Sequence, residues 1–148
     1  MSAFTDPKTL SKAELEAGSV FAPRFDAQGL VTVVTVDHAD NAVLMLAHMN
    51  ADALNETLRS GYATYWSRSR NALWKKGETS GELQKVVALR IDCDQDAIVL
   101  AVEQQGHGAA CHTGRRTCFY RRAVWKDGTV VLEDTGEAKL FDPEAVYR

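Results

Sequence analysis

The chain has 148 residues, 45% of them hydrophobic and 25% charged, with a net charge of −3. That length suits one domain with a real core, and the slightly acidic balance excludes a global basic field for nucleic acid or an anionic membrane. No apolar run reaches the ~18 residues of a membrane-spanning helix, so none is expected. The opening MSAFTDPKTL lacks a basic stretch followed by an apolar one, so no secretory signal is expected and a cytosolic location is. There Cys93, Cys111 and Cys118 would be reduced. Three thiols cannot close into disulfides among themselves, which favours metal binding or catalysis.

Residues 1–20 read as a surface arm or short helix, with SKAELEAG ended by Gly18. LVTVVTVD (30–37) is β-branched throughout and predicts a strand. AVLMLAHMN (42–50) predicts a second, joined to the first by a turn at Asp40-Asn41. NADALNETLRSG (50–61) predicts a helix: Asn50 caps, Ala53, Leu54, Thr57 and Leu58 form the apolar face, and Gly61 stops it. YATYWS (62–67), LQKVVALRID (83–92), AIVLAVEQ (97–104), TCFYRRAVW (117–125) and TVVLED (129–134) predict strands. GETSGE (77–82) and GHGAACHTGRR (106–116) predict loops. The sum is an α+β chain: a mostly β single domain over 1–148, its sheet mixed, antiparallel or closed as a pseudobarrel, with one main helix.

RIDCDQDAIVL (90–100) carries carboxylates at every second position. If the strand stays extended, Asp92, Asp94 and Asp96 share a face and Cys93 points the other way. Carboxylates so close repel unless a hard cation such as magnesium compensates them, and a solvated strand end is the plainer alternative. Cys111 and Cys118 bracket CHTGRRTC, too widely spaced for a short zinc knuckle. Three thiolates with an open fourth position suit a catalytic zinc, whose open position holds the reactive water. Three buried free cysteines are the alternative. His112 is placed to move a proton near such a site, with His107 just before it.

YWSRSRNALWKKGETSG (65–81) gathers hydroxyls and cations. Ser67, Arg68, Ser69, Lys76, Thr79 and Ser80 suit phosphate oxygens, and Trp66 can stack a base. A cationic surface over core tryptophans is the alternative. The acidic overall balance favours a small phosphorylated nucleotide over a polymer.

AHMNADAL, GYATYWSRSRNALWKKGETSG, LQKVVALRIDCDQDAIVLAVEQ and GAACHTGRRTCFYR, in this order, resemble the phosphoribosyl-AMP cyclohydrolases of histidine biosynthesis. The match runs over residues 30–122, leaving an arm at 1–20 and C-terminal strands and tail at 123–148. His48 stands where a bulkier aromatic is expected. The resemblance implies a single-function hydrolase using zinc and magnesium, with activated water attacking adenine C6 and cleaving C6–N1. It implies zinc ligands Cys93, Cys111 and Cys118, magnesium ligands Asp92, Asp94 and Asp96, and proton transfer by His112. Substrate contacts fall on Trp66, Ser67, Arg68, Ser69, Lys76, Glu78, Thr79 and Ser80. It further implies a homodimer whose metal ligands come from both subunits, with neither nucleic acid nor membrane as a partner. Against a zinc nucleobase deaminase stands the lack of an H-x-E motif paired with P-C-x-x-C. A zinc-stabilised nucleic-acid module and a plain β-rich binding protein remain the non-enzyme alternatives.

Overall fold

In the computed structural model, which describes residues 4–147, the β-branched runs build a mixed four-stranded sheet. Val31–Asp37 (β1) and Val43–Met49 (β2) form an antiparallel hairpin, turned by Asn41 at φ 62° and closed by Asp37 N donating to Ala42 O at 2.9 Å. Ala51–Ser60 (α2) follows, after the short Lys12–Ala17 helix (α1) of the N-terminal arm. Thr64–Ser67 (β3) and Ala72–Lys75 (β4) form a two-stranded hairpin. Gln84–Ile91 (β5) and Ala97–Gln104 (β6) complete the main sheet in the order β2-β1-β6-β5. β6 lies parallel to β1, and the chain between them runs through β2, α2 and β3–β5. Arg121–Lys126 (β7) and Thr129–Asp134 (β8) pair separately, and a single helical turn, Pro143–Val146 (α3), ends the described chain.

Alternation along β1 puts Val31 and Val33 into the core, where they meet Leu44 and Met49 of β2 and Ile98, Leu100 and Val102 of β6. α2 closes this core. Asn50 accepts from Ala53 N at 2.8 Å as the N-cap, and Gly61 takes the left-handed stop. Ala53, Leu54 and Thr57 are buried. Leu58, expected on the same face, is 46% exposed; it lies at the flank of the apolar stripe. Thr57 makes the attachment instead, donating to Ala53 O and accepting from Thr64 N at 3.0 Å, which ties the helix to β3.

The core also holds a closed polar set. Tyr65 donates to Gln84 Oε1 at 2.6 Å and meets Thr35 Oγ1 at 2.7 Å, and Gln84 Nε2 donates to Gln104 Oε1 at 2.9 Å. Satisfied buried groups of this kind fix a unique packing rather than weaken it.

Several expectations need correction. The predicted strand 117–125 begins only at Arg121, because Thr117 and Cys118 are committed to β2: Thr117 Oγ1 donates to Val43 O and Cys118 N to Leu44 O, both at 2.8 Å. Strand 62–67 begins at Thr64, with Tyr62 in an isolated bridge to Lys85. β4 and α3 were not expected. Residues 1–3 of the anticipated arm and residue 148 of the tail lie outside the described residues. Among the described residues no helix is long and apolar enough to cross a membrane.

Candidate active site

A cavity of about 380 Å³ opens where the β3–β4 hairpin, the turn after it and the 110–118 loop meet. Its wall carries Lys76, Glu78, Thr79 and Ser80 from the turn, and Ala110, His112 and Cys118 from the loop. Arg70, Leu73 and Trp74 form the hairpin side, Met45 the floor and Tyr147 of the tail one rim. The structure therefore brings together five of the anticipated substrate and catalytic residues: Lys76, Glu78, Thr79, Ser80 and His112. Trp66, Ser67, Arg68 and Ser69 sit at the end of β3 and in the next turn, outside the cavity lining.

The 76–82 turn needs Gly77. Its φ of +83° is left-handed, and a Cβ there would collide with the Glu82 backbone carbonyl. That tight path drives Glu82 inward, to 1% exposure. Its carboxylate accepts from His107 N at 2.9 Å and Ala109 N at 3.2 Å, and meets His107 Nδ1 at 2.5 Å. Gly106 leaves room for it: a Cβ there would lie 2.8 Å from the carboxylate. One buried side chain thus straps down the segment leading into Cys111. Sequence reading missed Glu82, because a Glu closing a turn-rich loop looks solvated; only the tertiary contact shows its role.

The thiol loop is pinned at both ends. Ala110 N donates to Arg116 O and Cys111 N to Arg115 O, both at 3.1 Å, while Arg116 pairs with Asp37 and Asp40 at 3.2 and 2.9 Å. This brings Cys111, buried, against Cys118, exposed at the cavity. The Cys111 thiol is pushed down to about 5 by the hydrogen bond from the Cys118 thiol, with further help from Thr113, whose Oγ1 donates to Cys111 Sγ at 3.1 Å. The same hydrogen bond pushes Cys118 up. Deprotonated together, the two thiols are the donor chemistry a soft or borderline cation takes.

Cys93 lies elsewhere. The expectation that 92–96 continues an extended strand, with alternate carboxylates on one face, is overturned: β5 ends at Ile91 and the segment is the turn into β6. Gln95 takes φ +59° and is buried, its side chain accepting from Ala22 N at 2.8 Å and donating to Leu15 O at 2.9 Å. With Gln95 folded under the N-terminal arm, the turn curls, and Asp92, Asp94 and Asp96 converge with ligand oxygens within 4.8 Å of one another. Asp92 Oδ1 also accepts from Asp96 N and Ala97 N at 2.9 and 3.2 Å. Asp96 is pushed up to about 6 by hydrogen bonding to Asp92 and Asp94 and by their charge. Asp92 is held below the usual carboxylate range: a burial penalty is outweighed by hydrogen bonds from Asp96 and from the backbone. Three oxygens in this state suit a hard divalent cation. Cys93 is exposed on the arm side of the turn, in a depression with Leu15, Val20 and Phe21. Among the described residues, the Asp triad is the one group of three or more His, Cys, Asp or Glu side chains converging as a metal site. One chain does not bring Cys93 to the Cys111–Cys118 pair.

A family model described as phosphoribosyl-AMP cyclohydrolase matches residues 45–120. A Mesorhizobium japonicum protein named phosphoribosyl-AMP cyclohydrolase is 61% identical, covering 100% of this chain and 97% of the relative. Proteins of that name from Bradyrhizobium diazoefficiens and a Chelativorans species are 58% and 56% identical, covering 91% and 88% of this chain and 95% and 94% of their own lengths.

Proposed function

Because the chain belongs to the phosphoribosyl-AMP cyclohydrolase family, we propose that it hydrolyses the N1–C6 bond of phosphoribosyl-AMP, in histidine biosynthesis, with zinc at its cysteines. The observation that carries this reading is the cavity whose wall sets His112 and Cys118, from the loop that also carries Cys111, together with the polar turn of Lys76, Glu78, Thr79 and Ser80.

The donors fit the metals. Cys111 and Cys118 would supply two thiolates to a zinc ion, with Cys93 of a second copy as the third; Asp92, Asp94 and Asp96 would hold magnesium. Zinc bound there supplies Lewis acidity, lowering the pKa of a bound water towards about 7. Alkylation at N1 makes C6 of the adenine ring electron-poor. His112 takes a proton from the attacking water and returns one to N1 as the C6–N1 bond breaks. Overall, water oxygen becomes the carboxamide oxygen on C6, one proton completes the carboxamide NH₂ and the other ends on N1. The polar turn Glu78, Thr79 and Ser80 contacts ribose and phosphate from inside the cavity. Trp66, Ser67, Arg68 and Ser69 meet the outer phosphoribosyl group.

A homodimer follows from the same donors. Exposed Trp125, Val130 and Leu132 on the β7–β8 hairpin, which begins three residues after Cys118, supply apolar surface of the kind found at interfaces. The test is zinc content together with ring opening of phosphoribosyl-AMP followed by absorbance. The wild-type chain is expected to hold zinc and turn over, and Cys111→Ser to lose both. Full activity in Cys111→Ser without bound zinc would overturn the mechanism.

A further inference from the structure

Gln95 stands apart from the residues that share its backbone conformation. It takes φ +59°, and among the described residues the other non-glycine positions at positive φ are Asn41, Asn71 and Asp127. Those are exposed Asn or Asp residues, which visit this region because a short polar side chain bonds locally. Gln95 is longer, 4% exposed, and its side chain bonds far from its own turn. Every polar atom of the residue is used. Its N–H donates to Asp92 O at 3.1 Å and closes the turn from β5 into β6. The rest goes to the N-terminal arm. The side-chain oxygen accepts from Ala22 N at 2.8 Å, the amide NH₂ donates to Leu15 O at 2.9 Å and Val20 O at 3.2 Å, and the carbonyl accepts from Arg24 N at 2.6 Å. The arm is held from its other side too: Ala22 is fully buried, and Phe21 and Phe25 pack against the core. Arg24 reaches Asp94 at 3.9 Å, and Cys93 shares a depression with Leu15 and Phe21.

We propose that Gln95 is a positioning residue for the carboxylate turn, and that the N-terminal arm it binds is thereby part of the metal-holding machinery. This rests on the reading of Asp92, Asp94 and Asp96 as magnesium ligands. The left-handed step at Gln95 falls between Asp94 and Asp96, so it sets the angle at which their carboxylates meet. A strained step persists when its surroundings over-determine it, and here the arm supplies those surroundings. With the arm docked, the turn is held where the ligand oxygens lie within 4.8 Å of one another. With the arm released, Gln95 loses the bonds that hold it at positive φ, and the carboxylates, which repel, spread apart. The coupling runs both ways: a cation that favours the converged turn favours the docked arm by the same factor.

Gln95→Asn and Gln95→Leu separate this role from that of a glutamine that only stabilises the fold. Asn suits positive φ and keeps the amide, but is too short to span to residues 15, 20 and 22. Leu keeps the bulk and loses the hydrogen bonds. The full chain is used, with Mn²⁺ as the probe and its free ion counted by electron paramagnetic resonance. Both variants are expected to bind Mn²⁺ about 10–100-fold more weakly, the scale of losses beyond the ligands themselves. The wild-type chain gives the reciprocal readout: saturating Mg²⁺ should slow hydrogen exchange of the Ala22 and Arg24 amides by that same factor. A glutamine that only stabilises the fold would lower the urea midpoint and move neither quantity. Mn²⁺ affinity within about twofold of wild type in a folded Gln95→Asn chain, or Ala22 and Arg24 exchange that Mg²⁺ leaves unchanged, would overturn the proposal. Should the variants fail to fold, the wild-type exchange decides alone. Wild-type Mn²⁺ binding no tighter than that of Asp94→Asn would sink the magnesium reading and the proposal with it, which keeps the two failures distinct.

Discussion

Glu82→Ala tests the strap that holds the cysteine loop. The wild-type carboxylate accepts two backbone N–H groups, His107 at 2.9 Å and Ala109 at 3.2 Å, and meets the His107 ring. Ala109 is fully buried, so its N–H has no water to turn to. Hydrogen bonds to charged groups contribute about 1.5–3 kcal/mol each, and an orphaned buried donor costs about 1–3 kcal/mol. Two such donors, counted without full additivity, give a loss of about 3–5 kcal/mol. For a chain of this size that corresponds to a melting temperature lower by about 10 °C. Glu82→Gln keeps one accepting oxygen but turns an NH₂ towards the second donor, so a loss of about 1–3 kcal/mol is expected. Urea denaturation of the zinc-free protein, with unchanged m-value, reads both. A loss below about 1 kcal/mol in Glu82→Ala would refute the strap.

Other outcomes follow from the same structure. Leu54 is fully buried and Leu58 is 46% exposed, so Leu54→Ala should cost about 2–5 kcal/mol and Leu58→Ala under about 1 kcal/mol in urea denaturation. Equal losses would place Leu58 back on the buried face. The carboxylate triad sets a pH dependence. Asp96 is raised from 3.8 to about 6, so in the metal-free chain its contribution to stability is present at low pH and lost as pH rises through about 6. A cation must displace that proton. Magnesium should therefore raise the melting temperature more at about pH 7.5 than at about pH 5; equal shifts would contradict cation binding at the triad.

Much of this was legible in the chain because the signals were local. The capped helix at Asn50, the β-branched run of β1 and the Asn41 turn each declare themselves within a few residues, and their boundaries moved by at most one position. What stayed hidden depends on contacts far apart in sequence. The parallel pairing of β1 with β6 joins strands separated by most of the motif region. Glu82 reads as a loop carboxylate until His107 and Ala109 are folded over it. RIDCDQDAIVL leaves open a continued extended strand or a solvated turn between 83–92 and 97–104; the chain turns there, with Gln95 drawn beneath residues 15–22. The three aspartates still group together, through the curl of a turn and not on a strand face. The separation of Cys93 from the other two cysteines is likewise a property of the turn.

A cysteine metal site completed between two copies of the chain has a direct consequence for mixed dimers. Mixing Cys93→Ser with Cys111→Ser chains, unfolding and refolding them together with zinc, and measuring ring opening of phosphoribosyl-AMP tests it directly. Each variant alone should be inactive. In a mixed two-fold dimer one site receives both lesions and the other neither, so random pairing should restore about a quarter of wild-type activity. A mixture as inactive as its parents, from chains shown to pair, would contradict a shared site.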